Sequence, residues 1–123
     1  MNILYLIVGG ILGTLARYFV SGVVYRVAGT TFPYGTFVVN LLGCFIIGFI
    51  VSLVEQEALL DNNLKLLLMA GFCGAFTTFS AFIFEADNLI KNGEFLKAAG
   101  YVFGSLILGF ILYRSGAFLA KII

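Results

Sequence analysis

The chain has 123 residues, of which 62% are hydrophobic and only 11% are charged. With a mean hydropathy of +1.12 it has too few polar side chains to cover a soluble particle of this size, which indicates an integral membrane protein. The formal net charge is +1 and there is no run of Lys or Arg, which argues against a nucleic-acid partner. The chain has no His, and no nucleophile lies beside a suitable base, so we expect no enzyme activity.

Four apolar segments are long enough to span a membrane, since a helix needs about 20 mostly apolar residues to cross about 30 Å of hydrocarbon. They cover residues 3–27, 34–54, 64–90 and 95–120, and turn-forming or polar residues separate them at 29–33, 55–63 and 91–94. The first segment is too long for the core of a signal peptide and has no basic residue before it. The sequence therefore predicts an all-α protein in the lipid bilayer, with one membrane domain over residues 1–123.

The first span carries Arg17 near its middle, where a charged residue costs at least about 2.5 to 3.5 kcal/mol unless water or a partner reaches it. Two interpretations stay open. Arg17 faces an aqueous vestibule, where it raises the local anion concentration, or it pairs with Glu85, the only acid well inside the third span. Gly9 and Gly13 have the spacing of close helix contacts, a weak signal in a chain with 15 glycines.

The second and fourth spans each carry polar residues at helical spacing, which predicts two polar tracks. Thr36 and Asn40 share a face of the second span, and Tyr101 and Ser105 share a face of the fourth. The structural alternative is interhelical hydrogen bonding, worth about 0.6 kcal/mol per contact in membranes. For Asn40 we favour a functional role, because its amide has two donors and an acceptor that all need partners.

The third span contains a run of helix-hostile residues at its centre, in the segment 71–82. Gly71 and Gly74 allow unusual backbone angles, and Thr77 and Thr78 disfavour an immediate return to helix. The run predicts a helix broken in mid-membrane, which is tolerated only inside protein or beside a polar cavity. Carbonyl groups freed in this way commonly bind sodium in membrane transporters.

Two aromatic rings follow the predicted break. Phe79 and Phe82 lie on one helix face with Ser80 between them. Because the edge of an aromatic ring is positive, edges turned into a narrow passage favour an anion. The alternative for two Phe among the fourteen in this chain is lipid contact or packing.

The flanking Lys and Arg give no preferred orientation in the membrane, because each predicted face carries three: Lys65, Arg114 and Lys121 on one, and Arg26, Lys91 and Lys97 on the other. We expect insertion in both orientations, the alternative being one orientation that other signals determine. Four helices are too few to enclose a hydrated path while covering their own polar residues. An antiparallel homodimer is the simplest closed assembly that solves both problems.

Three segments together resemble the CrcB or Fluc family of fluoride channels: Gly13-Thr-Leu-Ala-Arg-Tyr18, Pro33-Tyr-Gly-Thr-Phe-Val-Val-Asn40 with Gly43, and residues 71–82, which read Gly-Phe-Cys-Gly-Ala-Phe-Thr-Thr-Phe-Ser-Ala-Phe. The resemblance covers nearly the whole chain. It implies passive fluoride export through a dual-topology, antiparallel homodimer in the inner (plasma) membrane, with two pores and a sodium ion at the dimer centre.

The resemblance also implies roles for individual residues. The backbone carbonyls of Gly74 and Thr77 would bind sodium, Phe79 and Phe82 would form an aromatic box, and Asn40 would donate to fluoride. The other implied pathway residues are Thr36, Thr78, Ser80, Tyr101, Ser105, Arg17 and Glu85.

The chain departs from the family pattern at three positions. Ala75 stands where the family often has Gly, and Ala81 stands where it often has Thr. Gly109 stands where relatives tend to have Ser, which leaves Ser105 as the candidate to take over that role.

The main alternative function is a small multidrug-type exporter, which is also a four-span, dual-topology dimer. Those proteins resemble one another in a glutamate of the first span that exchanges protons for cations. Here the first span carries Arg17 and no acid, which argues against that class.

Overall fold

The computed structural model describes residues 3–57 and 61–123, and this part of the chain consists of helices joined by short turns. Residues 1–2 of the predicted domain and residues 58–60 of the predicted loop 55–63 lie outside it. The helices are α1 (Ile3–Ala28), α2 (Tyr34–Glu57), α3 (Asn62–Lys65), the π-helix π1 (Leu66–Cys73), α4 (Gly74–Phe76), α5 (Ser80–Lys91) and α6 (Phe95–Ile122). Four helical stretches, the third of them running from α3 to α5, are long and apolar enough to cross a membrane.

Glycine and proline set the ends of the long helices. Gly29 and Gly93 follow α1 and α5 with φ of 90° and 75°, a left-handed conformation that favours glycine at the end of a helix. Pro33 precedes α2, and its carbonyl accepts a hydrogen bond from the Phe37 N–H at 3.0 Å. At the start of α3, the Asp61 carboxylate caps the N–H of Leu64 at 2.8 Å.

Helix α1 packs against π1 through backbone contact. Gly9 and Gly13 are buried there. A Cβ atom on Gly9 would collide with the carbonyl oxygen of Leu67, and one on Gly13 would collide with that of Phe72. On the other side of the contact, a Cβ on Gly71 would lie 3.0 Å from the Gly9 Cα atom. The glycine spacing in the first span therefore marks a close helix contact.

Helices α2 and α6 form the second close contact. A Cβ on Gly48 would collide with the carbonyl oxygen of Tyr113, and one on Gly116 would collide with that of Phe45. This contact positions the two helices that carry the predicted polar tracks.

The third helical stretch is interrupted between α4 and α5. Thr77 is extended, with φ of −86° and ψ of 160°, and α5 begins at Ser80. The prediction of unusual angles at Gly71 and Gly74 was wrong: Gly74 has helical φ and ψ of −62° and −36°, and positive φ occurs among the described glycines only at Gly29 and Gly93. Gly71 lacks a side chain because α1 packs against it, and the interruption itself begins at Thr77.

Candidate ion pathway

An open groove of about 470 Å³ runs beside the helix interruption. It is lined by residues of α2, α6 and the interrupted segment, and none of its lining side chains is charged. The polar and aromatic groups that it brings together are Asn40, Thr77, Thr78, Phe79, Phe82 and Ser105. We call this cavity the groove.

Asn40 holds the backbone of the interruption. Its Nδ2 donates to the Thr78 carbonyl at 3.0 Å, and its Oδ1 accepts from the Thr78 N–H at 2.8 Å. One turn further along α2, a Cβ on Gly43 would collide with the Thr77 methyl group, so the glycine allows α2 to approach. Because each amide nitrogen has two hydrogens, Asn40 keeps one N–H for another acceptor.

The threonine hydroxyls bind neighbouring backbone groups. Thr77 Oγ1 donates to the Cys73 carbonyl at 3.0 Å, and Thr78 Oγ1 accepts from the Ala81 N–H at 3.3 Å, as a capping residue does at the start of a helix. The Thr78 hydroxyl therefore keeps its own hydrogen for another acceptor. Ser80, the first residue of α5, is exposed and lines neither this groove nor the second cavity described below.

The two predicted aromatic residues differ in their surroundings. Phe82 is buried at 7% exposure, whereas Phe79 is 74% exposed. Their ring centroids are 6.0 Å apart and their planes are tilted by 45°. Phe82 also contacts the ring of Tyr101, with centroids 5.0 Å apart. Phe82 thus belongs to the core between α5 and α6, while Phe79 projects from the chain at the edge of the groove.

Glu85 accepts hydrogen bonds from three hydroxyl groups. Tyr101 donates to its Oε1 at 3.0 Å, and Thr36 and Tyr25 donate to its Oε2 at 3.1 and 3.3 Å. The interpretation that pairs Arg17 with Glu85 is wrong, because Arg17 Nε donates to the Ala75 carbonyl at 3.1 Å. These three hydroxyls satisfy the half-buried carboxylate without a cation.

Sequence reasoning missed Tyr25. It lies eight residues after Arg17, on the same face of α1. A Cβ on Gly35 would collide with the Tyr25 ring, so the glycine at the start of α2 makes room for it. A hydroxyl two turns beyond Arg17, the cation in the middle of the first span, was the available signal.

Glu85 also lines a second cavity, of about 360 Å³, together with Tyr25, Thr30, Asn88 and Asn92. We call this cavity the mouth. Phe82 lines the groove, and Tyr101 contacts Phe82 through its ring and Glu85 through its hydroxyl. The fully buried Tyr101 therefore contacts one lining residue of each cavity.

Ser105 Oγ is buried and has no hydrogen-bond partner among the described residues. It belongs to the lining of the groove. One turn further along α6, a Cβ on Gly109 would lie 3.3 Å from Cys44 Sγ. The Cys44 sulfur thus occupies the space beside Gly109, and Ser105 is left as the hydroxyl that α6 presents to the groove.

The carbonyls of Gly74 and Thr77 have lost the partners that a continuous helix would give them. Those partners are the N–H groups of Thr78 and Ala81, which bind Asn40 Oδ1 and Thr78 Oγ1 instead. Carbonyl oxygens without a carboxylate suit a hard monovalent cation, so these residues fit sodium.

The long apolar helices are those of a multi-pass membrane protein, with an uncharged groove beside an interrupted helix. The chain belongs to the CrcB family: the family described as "CrcB-like protein, Camphor Resistance (CrcB)" matches residues 4–117. The resemblance predicted from the sequence is therefore confirmed.

Several curated relatives carry the name "Fluoride-specific ion channel FluC". The protein from Maridesulfovibrio salexigens is 45% identical over 120 residues, covering 98% of this chain and 95% of the relative. The protein from Chlorobaculum tepidum is 48% identical over 121 residues, with the same coverage of both chains. The protein from Dehalococcoides mccartyi is 39% identical over 122 residues, covering 99% of this chain and 94% of the relative.

Proposed function

We propose that this protein is a fluoride channel of the inner (plasma) membrane, which lets fluoride leave the cell by passive electrodiffusion. The observation that carries the proposal is the uncharged groove, in which the Asn40 amide and the Ser105 hydroxyl lie beside two aromatic rings. Fluoride is small and strongly hydrated, so donors already in place must replace its water. A groove without cations binds the anion weakly enough for release.

The ion enters the cell as neutral HF, which releases its proton in a more alkaline cytoplasm. Outward flow of the remaining fluoride then needs no energy source. In the groove, fluoride would accept hydrogen bonds from the free N–H of the Asn40 amide and from the Ser105 hydroxyl. Chloride is larger and gains less from the same donors, which favours fluoride.

A cell-based measurement tests this function. Cells without their own fluoride exporter are grown in acidic medium with fluoride, with and without the chain, and their cytoplasmic fluoride is measured. We expect lower cytoplasmic fluoride and better growth in cells that contain the chain. Equal fluoride in both cultures, with the protein present in the membrane, would count against the proposal.

The functional unit that we propose is an antiparallel homodimer. Phe79 and Gly74 are exposed beside the groove, so the single chain leaves Phe79 uncovered. A second copy related by a two-fold axis would cover that side and place the interruption in mid-membrane.

Dual topology has a direct consequence. A reporter fused after Ile123 should register on both sides of the membrane, and several Lys residues added to the turn around Gly93 should bias it to one side. The measurement is a pair of reporters, one active only outside the cell and one only inside. A fusion found on one side only, and unaffected by added charge, would contradict the dimer.

We also propose a structural sodium ion at the dimer centre. Two copies would supply four carbonyl oxygens, from Gly74 and Thr77 of each chain, whereas Ca²⁺ takes 6 to 8 oxygen ligands and usually includes carboxylates. Replacing sodium with a large organic cation should therefore lower both fluoride flux and the fraction of dimer seen by gel filtration. Unchanged flux and unchanged dimer after that exchange would argue against the site.

Replacing Ser105 should lower fluoride flux without lowering thermal stability. Its Oγ has no partner among the described residues, so Ser105→Ala removes no hydrogen bond to any of them and should leave thermal stability unchanged or slightly higher. If the hydroxyl donates to fluoride, flux should fall about tenfold, the effect of losing about 1.4 kcal/mol. Ser115→Ala is the control for flux, at an exposed α6 position whose hydroxyl donates to the Ile111 carbonyl of the same helix. Full flux in Ser105→Ala would exclude Ser105 from the path.

A further inference from the structure

One face of α1 follows the third helical stretch up to its interruption. Gly9, Gly13 and Arg17 are spaced four residues apart and so share that face. The two glycines bring α1 into contact with π1, through Leu67 and Phe72. Arg17 lies one turn further along the same helix face, where it contacts α4.

Arg17 binds a carbonyl that the interruption leaves without its helical partner. In a continuous helix, the Ala75 carbonyl would accept from the Phe79 N–H. Because the chain becomes extended at Thr77, that geometry is lost. Arg17 Nε donates to the Ala75 carbonyl at 3.1 Å instead. An unpaired carbonyl is costly in a membrane, and a cation near a helix C-terminus is favourable, so this contact stabilises the end of α4 twice over.

Two side chains thus hold the interruption from opposite helices. Arg17 of α1 binds Ala75 before the extended residue, and Asn40 of α2 binds Thr78 after it. Arg17 lines neither the groove nor the mouth. Its Nε contacts the backbone that supports the groove.

We propose that Arg17 is a positioning residue, which holds the end of α4 against α1 and so fixes the place of the Gly74 and Thr77 carbonyls and of Phe79. Gly13 supports the same contact, since a Cβ there would collide with the Phe72 carbonyl oxygen and lie 3.1 Å from the Ala75 Cβ. The inference rests on the proposed function only where ion flux is the readout.

Amide hydrogen exchange of the peptide that covers residues 74–82, measured on the full protein in lipid nanodiscs, tests the inference. Arg17→Met removes the donor and the charge, and we expect exchange in this peptide to become about tenfold faster, as for the loss of a hydrogen bond to a charged group. Arg17→Lys keeps the charge and one donor and should restore protection in part. Arg26→Gln, at the exposed end of α1, is the control and should exchange like the parent.

Gly13→Ala gives an independent test, because it moves α4 away from α1 without changing any charge. Faster exchange in both Arg17→Met and Gly13→Ala, with fluoride flux reduced in parallel, supports positioning. Parent-like exchange in Arg17→Met would overturn the positioning role. If flux were nevertheless lost, the effect would come from removal of the positive charge. If Arg17→Met does not assemble, parent-like exchange in Gly13→Ala would overturn that role. Amide exchange does not depend on which ion the protein carries, so the exchange result can be interpreted even if the fluoride proposal fails.

Discussion

Replacing Phe82 or Phe79 by Ile is expected to slow fluoride flux by about tenfold or more, while the protein still assembles. Ile keeps the span apolar but removes the positive ring edge that would replace part of fluoride's hydration. A loss of about 1.4 kcal/mol at the barrier corresponds to a tenfold slower passage. Fluoride efflux from liposomes, normalised to the amount of dimer, measures the effect.

The matched control is Phe110→Ile. Phe110 of α6 is 68% exposed, close to the 74% of Phe79, but it lies outside the groove. Its replacement should leave flux within about twofold of the parent, because lipid-facing Phe and Ile are both apolar. If the Phe79 and Phe82 variants conduct like Phe110→Ile, or fail only because no dimer forms, the two rings are packing residues.

Asn40→Asp is expected to reduce flux by about a thousandfold. An ionised carboxylate has no donor for fluoride or for the Thr78 carbonyl, and it repels the anion by about 4 kcal/mol at 4 Å and an effective dielectric constant of 20. At about 1.4 kcal/mol per factor of ten, that repulsion alone gives the predicted loss. Liposome flux measures it, and the amount of purified dimer shows whether the fold survives.

Asn62→Asp makes the same chemical change at the exposed start of α3, where a negative charge is favourable. It should conduct like the parent. High flux in Asn40→Asp would mean that the anion passes far from Asn40, which would remove the groove from the proposed path.

The four membrane-spanning stretches were predictable because the length of an apolar segment largely determines whether it crosses the membrane. A segment of about 20 apolar residues has few alternatives to a membrane-spanning helix, and the turns at Gly29, Pro33 and Gly93 are marked by residues with special backbone angles. Periodicity also grouped Thr36 with Asn40 and Tyr101 with Ser105. In the structure Thr36 and Tyr101 bind Glu85, whereas Asn40 and Ser105 line the groove.

The partners of the charged residues were not predictable in the same way. Arg17 and Glu85 are the two ionisable groups deep in the first and third spans, and a pair between them was a reasonable expectation. The structure gives Arg17 a backbone carbonyl and Glu85 three hydroxyl groups. Which partner a half-buried charge contacts depends on the rotation and axial position of the neighbouring helices, and a single sequence specifies neither.

The roles of the glycines in the third span also depend on tertiary contacts that the sequence alone does not specify. Composition marks Gly71 and Gly74 as helix breakers, but glycine also serves where two backbones must approach. Gly71 has that second role against α1, and Thr77 becomes the extended residue because Asn40 binds the backbone of Thr78. Local propensity located the interruption to within a few residues, and tertiary contacts decided which residue carries it.

Fluoride efflux from liposomes that contain only the purified protein shows most directly whether this chain conducts fluoride. The liposomes hold equal fluoride and chloride, and a potassium ionophore is added to balance the charge. We predict rapid fluoride release that requires the ionophore but no proton gradient, while chloride is retained. Retention of both anions, or release only with a proton gradient as for a coupled exporter, would contradict passive fluoride conduction by this protein.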